Sequence, residues 1–186
     1  MDTKTRMIET ATKLFQQRGY KAVGLNELLQ ACGITKGALY HHFPGGKEEL
    51  LIACLQSLNE TLTMDIESLF NRATSTEAAV RAVIGEMIKD LDRDGTIAGY
   101  TFSSIVSEMS LLSEPARDAC RALYEKIQSI FYAKLVEDGF TSDRASSISL
   151  FLTASIEGGL LLCRAQNSSI PLQTISNVLP ELMKEF

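Results

Sequence analysis

The chain is expected to be all-α: about nine helices, split between a three-helix head over residues 1–46 and a larger helical body over residues 47–186. Three observations carry that expectation. Apolar residues recur at i, i+3 and i+4 along most of the chain, the period of a helix with one buried face. No stretch alternates apolar and polar residues with the period of a strand. The run Leu25–Leu51 reads as a short helix, a glycine turn, a second short helix, a Pro-Gly-Gly break and the start of a long amphipathic helix. That order is the grammar of a helix-turn-helix, whose second helix enters the major groove of DNA.

The first helix is expected from about Thr3 to Arg18, capped by Asp2 or Thr3 and ended by Gly19. The next carries Leu25, Leu28, Leu29 and Ala31 on its inner side, and Cys32 and Gly33 close it. A glycine there can take the left-handed conformation that turns the chain. Ile34 plugs the turn, and Thr35 caps a helix of two turns at most that stops at Phe43, because Pro44 follows. A long helix from Gly46 to about Ala73 keeps helical period through Leu50, Leu51, Cys54, Leu55, Leu58, Leu62, Ile66, Leu69 and Phe70, and would tie head to body. Glu77–Leu91 follows a polar linker, then Thr101–Leu112, apolar on most sides. Ser113-Glu114-Pro115 starts a helix that runs to about Asp138, where Gly139 stops it. Thr141 or Ser142 caps the next, to about Ala165. Pro171 opens a last helix to Phe186, with a kink expected at Pro180.

Leu39 and Phe43 are i, i+4 and are expected to face the core, which leaves Thr35, Lys36, Tyr40 and His41 outward. A hydroxyl, an ammonium, a phenol and an imidazole suit phosphates and base-edge acceptors. Gly37 lets the backbone approach DNA, and Lys47, at the start of the next helix, can add a phosphate contact. His41 and His42 are the only histidines; neighbours on a helix point about 100° apart and cannot clamp one metal.

These residues carry a resemblance. GITKGALYHHF matches G-[VI]-[ST]-x-G-x-[LIV]-Y-x-[HY]-F, the hallmark of the TetR family of transcriptional repressors, and Ile8, Ala11, Leu14, Phe15, Arg18-Gly19-Tyr20 and Ala22 fit the stretch before it. The likeness covers about the first fifty-five residues. It departs at Gly24, where the family has Ser or Thr as a cap, and at Asn26, where many members carry a basic or hydroxyl residue against phosphate. The resemblance implies DNA contacts by Asn26, Thr35, Lys36, Gly37, Tyr40, His41 and Lys47. The segment SIEGGLLLCRAQNSSIPL resembles the body of the LmrA/QdoR (YxaF)-like branch of the family.

Net charge is −5, which looks wrong for a DNA binder until it is divided. Residues 1–50 hold seven Lys/Arg against five acids, a surplus of two positive charges; the remainder holds eleven against eighteen, a deficit of seven. The basic surplus lies where the motif lies. Cys32, Cys54, Cys120 and Cys163 are scattered, with no metal-ligand spacing, and read as buried free thiols of a reducing cytoplasm. No signal peptide and no unbroken apolar run of eighteen residues is present, so a cytoplasmic protein away from any membrane is expected. No nucleophile elbow, phosphate loop or metal-ligand set points to an enzyme or a cofactor.

In the C-terminal pair of helices, Ile148, Phe151, Leu152, Ser155, Ile156, Gly159, Leu160, Leu162 and Cys163 cover more than one face, so two sides need burial. One side can pack on the body; the other asks for a second copy, with Phe151, Ala154, Gly158, Gly159 and Leu162 at the interface. The resemblance implies a four-helix dimer interface, a palindromic operator and a small effector that releases it. The candidate effector lining is Phe102, Ile105, Met109, Tyr124, Ile127, Phe131 and Phe151, with Ser103, Glu108, Gln128 and Ser155 as polar handles, a set suited to an apolar or aromatic molecule. The alternatives are a helical protein-interaction module without DNA binding, and an activator of the same build.

Overall fold

A computed structural model describes residues 2–94, 106, 108 and 112–185. Among the described residues the chain forms eight α-helices and no strand: α1 (Thr3–Arg18), α2 (Leu25–Cys32), α3 (Lys36–His42), α4 (Lys47–Arg72), α5 (Thr76–Asp94), α6 (Glu114–Glu137), α7 (Ser142–Gln166) and α8 (Ile170–Glu185). The expected helix over Thr101–Leu112 lies outside the described residues except for Val106, Glu108 and Leu112.

Two compact units divide the chain, Met1–Thr61 with Phe102–Leu123 and Leu62–Thr101 with Tyr124–Phe186. They part inside α4 and α6, whereas the sequence placed a boundary at residue 46. The reason is that the first turns of α4 belong to the core of the head. Leu50, Leu51, Cys54 and Leu55 are each 0% exposed, and the Cys54 thiol donates to the Ile8 carbonyl at 3.5 Å.

In the first unit, Asp2 Oδ1 accepts from the Thr5 N–H at 2.7 Å and caps α1, a bond that holds its carboxyl below the usual carboxylate range. Met7, Ala11 and Phe15 of α1 are fully buried, and α1 packs on α2. Gly24 begins α2 without a side-chain cap. The α2 inner face is corrected in one place. Ala31 is exposed and Cys32 is buried, because Cys32 stands one full turn from Leu28, with its thiol directed at the Met7 carbonyl.

In the second unit, α7 packs on α8 and α8 on α5. The N-terminus of α5 is satisfied twice, by Ser75 Oγ accepting from Ala78 N–H at 3.2 Å and by Asp138 accepting from Thr76 N–H at 2.5 Å. Gly139, at φ +95°, ends α6, with Phe140 N–H donating to the Leu135 carbonyl. Phe70 stacks on Phe131 with centroids 5.1 Å apart. The α8 helix continues through Pro180. By average hydropathy, 1.5 over its best 18-residue window, α7 is long and apolar enough to cross a membrane, although it contains no unbroken apolar run of that length. Only 44% of that window is buried within the chain, so part of its apolar surface stays open. All four cysteines are buried and free.

Candidate nucleic-acid interface and body cavity

The recognition face is built from two turns and a cap. Gly33 sits at φ +64°, and the Ile34 N–H reaches back to the Leu29 carbonyl at 3.0 Å, so α2 ends and the chain reverses. Thr35 Oγ1 then accepts from the Ala38 N–H at 3.2 Å and starts α3. Gly46 ends the next turn at φ +69°, with the Tyr40 ring 3.1 Å from where a Cβ would stand, so a side chain there would meet both strain and the ring.

Leu39 and Phe43 are buried, at 0% and 2% exposure, and they fix the roll of α3. Thr35, Lys36, Gly37, Tyr40 and His41 consequently form one exposed surface, and Asn26 is exposed at the start of α2. Tyr40 keeps 43% of its surface open, and the Lys36 ammonium stands 5.9 Å from its ring centroid. His42 is half-buried and meets His41 edge to face at 5.0 Å.

Lys47 is placed differently from the rest. Its ammonium turns back, donating to the Tyr20 carbonyl at 2.5 Å and lying 4.0 Å from the Tyr20 ring centroid. Burial holds this amine below the usual lysine value, with the Glu108 and Glu27 charges opposing the shift. Glu108 itself accepts from the Lys21 N–H at 2.9 Å, so it braces the turn between α1 and α2 and is not a handle in the body. Arg18 pairs with Glu27 across the same turn. Nothing in the local sequence signals a contact over eighty-seven residues.

In the second unit a small cavity of about 20 Å³ is lined by Leu62 and Ile66 of α4, Val83 and Met87 of α5, Ile127 and Phe131 of α6, and Thr153, Ile156 and Glu157 of α7. That is room for about one water molecule. Of the expected lining, Ile127 and Phe131 are here. Tyr124 reaches its edge by donating a hydrogen bond to Glu157. Gln128 and Ser155 are half-buried and off the wall. Phe151 is corrected as a lining residue: it is 37% exposed, about 160° around α7 from Thr153 at 100° per residue. Phe102, Ser103, Ile105 and Met109 lie outside the described residues. Sequence reasoning missed Glu157. Its signal was there: it is the only charged residue between Ile148 and Cys163. Burial pushes its carboxyl up to about 7, with Tyr124 and then Arg164 opposing.

The outer face of α7 is apolar and open. Leu150, Phe151, Leu161 and Leu162 are 58%, 37%, 58% and 49% exposed, and Ala154 and Gly158 lie exposed among them. Gly159 is corrected as an interface residue. A Cβ on it would stand 2.6 Å from Ile175 Cδ1, so it serves the contact of α7 with α8 inside the protomer. Among the described residues no group of His, Cys, Asp and Glu could hold a metal ion.

Residues 7–54 match the model of the bacterial regulatory proteins of the tetR family, and residues 76–178 match that of the LmrA/YxaF-like transcriptional regulator C-terminal domain. The transcriptional regulator LmrA of Bacillus subtilis is 35% identical over 183 residues, covering 98% of this chain and 97% of its own. The uncharacterized regulator YxaF of the same species is 31% identical over 184 residues, covering 99% and 96%. The crystal structure of reduced Escherichia coli NemR superposes with a TM-score of 0.86 at 24% identity, over 95% of this chain and 94% of that one.

Proposed function

Starting from the fact that the chain belongs to the TetR family of helix-turn-helix transcriptional regulators, and so is a regulator and not an enzyme, we propose that it is a cytoplasmic repressor that binds a palindromic operator as a homodimer and is released by a small apolar or aromatic effector. The observation that carries the reading is the exposed set Thr35, Lys36, Gly37, Tyr40 and His41 on the far side of a helix locked by buried Leu39 and Phe43. A rigid helix with one polar donor face is what base and phosphate contacts require. Asn26 adds to that surface from α2. Lys47 can share in phosphate binding only with the hydrogens that Tyr20 leaves it.

One recognition helix spans few base pairs and binds weakly. Two of them on a two-fold axis read half-sites about one helical turn apart. The open apolar face of α7 supports the dimer, and the body supports the effector, which must bind the DNA-incompetent conformer more tightly than the competent one. Tyr124 and Phe131, together with Phe102, Ile105 and Met109, remain the proposed surroundings of that effector, and Gln128 and Ser155 would join them only in a wider cavity than the present one.

Selection from random duplex DNA with the purified protein tests the reading. Enrichment of a palindrome is expected, with affinity falling by roughly 10³–10⁵ between 50 and 200 mM salt if six to ten phosphates are neutralised. No enrichment at low salt would leave a helical interaction module as the better account. A reporter with the selected site overlapping its promoter then separates repression from activation.

A further inference from the structure

Glu157 is the group in the body that packing does not explain. It stands between Ile156 and Gly158 in a stretch of α7 with no other charge. Its carboxyl borders a cavity whose remaining walls are apolar, apart from the Thr153 hydroxyl, which is already donated to the Ser149 carbonyl at 2.8 Å. Tyr124 supplies one hydrogen bond from α6. Arg164, seven residues further along α7 and on the same face of the helix, also favours the ionised carboxyl, though less than Tyr124 does. The cavity residues from α4 and α5 bring no titratable group. A carboxyl so placed ionises only against the cost of leaving water, and its value of about 7 records that Tyr124 and Arg164 do not offset the cost. An amide or an aliphatic residue would serve a plain core better.

We propose that Glu157 is the recognition group of the effector site, and that the effector is an apolar or aromatic body carrying a protonated amine, seated in the cavity between α4, α5, α6 and α7. Among the described residues the cavity wall presents an acid and no base, together with the Phe131 ring, a favourable neighbour for an organic cation. The amine adds a positive charge at the carboxyl, where Tyr124 and Arg164 together leave the cost of ionising it unmet. In its present form the cavity holds about 20 Å³, so the ligand binds a conformer in which these walls stand further apart. A ligand that binds only the opened body necessarily shifts the population toward it, which is the thermodynamic work required of an effector. The proposal rests on the reading that the body takes an effector.

The experiment is calorimetric titration of the full chain, without DNA, with 2-naphthylmethylamine and its neutral isostere 2-naphthylmethanol, using wild type and Glu157→Gln. The amine is expected to bind wild type at least about tenfold more tightly than the alcohol at pH 8, to lose about tenfold between pH 8 and pH 6 as the carboxyl takes its proton, and to lose its advantage in the variant. Equal binding of the two probes, absence of binding by both, or an amine preference that survives in Glu157→Gln overturns the proposal. Should the variant fail to fold, the wild-type pH series decides: an amine affinity that stays flat from pH 6 to pH 8 overturns it. Operator selection is read separately. A chain that selects DNA and ignores the amine loses this site alone, and one that binds the amine and selects no DNA loses the regulator reading alone.

Discussion

Lys36 and Lys47 fall in the same motif, and their surroundings give them different work. Lys36 is exposed on α3, while Lys47 is half-buried with its ammonium on the Tyr20 carbonyl and ring. Lys36→Ala should therefore leave the melting temperature in place, weaken operator binding and lower the salt slope by about one counterion. Lys47→Ala should lower stability by about 1–2 kcal/mol, the scale of a partly buried hydrogen bond from a charged donor. Thermal melts beside filter binding at several salt concentrations separate the two. An unchanged salt slope in Lys36→Ala would remove that residue from the interface. Glu157 makes a prediction of its own in pH. Its carboxyl titrates near 7 in the folded chain against an ordinary 4.5, so the folded state keeps a proton that the unfolded state releases between those values. The contribution of this group to stability is then greatest below 4.5, falls as pH rises to about 7, and is level above, by at most about 1.4 kcal/mol per pH unit within the window. Glu157→Gln should flatten that slope, and urea midpoints at pH 5 and pH 8 for both proteins would show it.

The helices themselves were legible because their signals are local. Gly33, Thr35 and Pro44 bound α3 within a dozen residues, and Ser113 begins α6 by accepting from the Ala116 N–H. What could not be read is contact between distant segments. Asp138 on Thr76 and Glu108 on Lys21 span sixty-two and eighty-seven residues, and periodicity carries no information about such partners. The phase of α7 was legible only in part. Its sequence shows apolar residues all round, but which side meets α8 is decided by Leu172 and Ile175, so Gly158 and Gly159 looked alike. They are not. Gly159→Ala places a methyl 2.6 Å from Ile175 Cδ1 and 3.0 Å from the fully buried Leu172, so overpacking of about 1–3 kcal/mol should outweigh the gain in helix propensity of up to about 1 kcal/mol. Gly158→Ala meets nothing within 4 Å in the protomer and should keep the propensity gain when the chain is monomeric. Denaturant unfolding of the two variants in parallel tests the difference, and equal stabilities would mean that α7 is rolled otherwise on α8.

For the whole molecule the open question is what covers α7. Leu150, Ala154, Gly158 and Leu161 fall within about 80° of helix surface, with Phe151 and Leu162 extending the stripe to about 120°. Val178 of α8, 41% exposed, adds further apolar surface on the neighbouring helix. A contiguous apolar face of this kind is unusual on a monomer and usual at an interface between copies. The body carries an excess of acid, seven charges beyond residue 50, so two copies repel at long range and the apolar stripe must supply the attraction. Leu161→Glu adds one more negative charge to that stripe in each copy. At 58% exposure it disturbs no core, so the variant should fold and melt as a monomer. Sedimentation equilibrium should then show a dimer in wild type and a monomer in the variant at the same micromolar concentration. Operator binding should fall far more than it does in Lys36→Ala, because the loss of one protomer removes an entire recognition helix and the gain from holding two of them together. A variant that stays dimeric would place the interface elsewhere on the body. A variant that becomes monomeric with operator affinity unchanged would mean that a single helix-turn-helix suffices, and that the palindrome is not read as a pair.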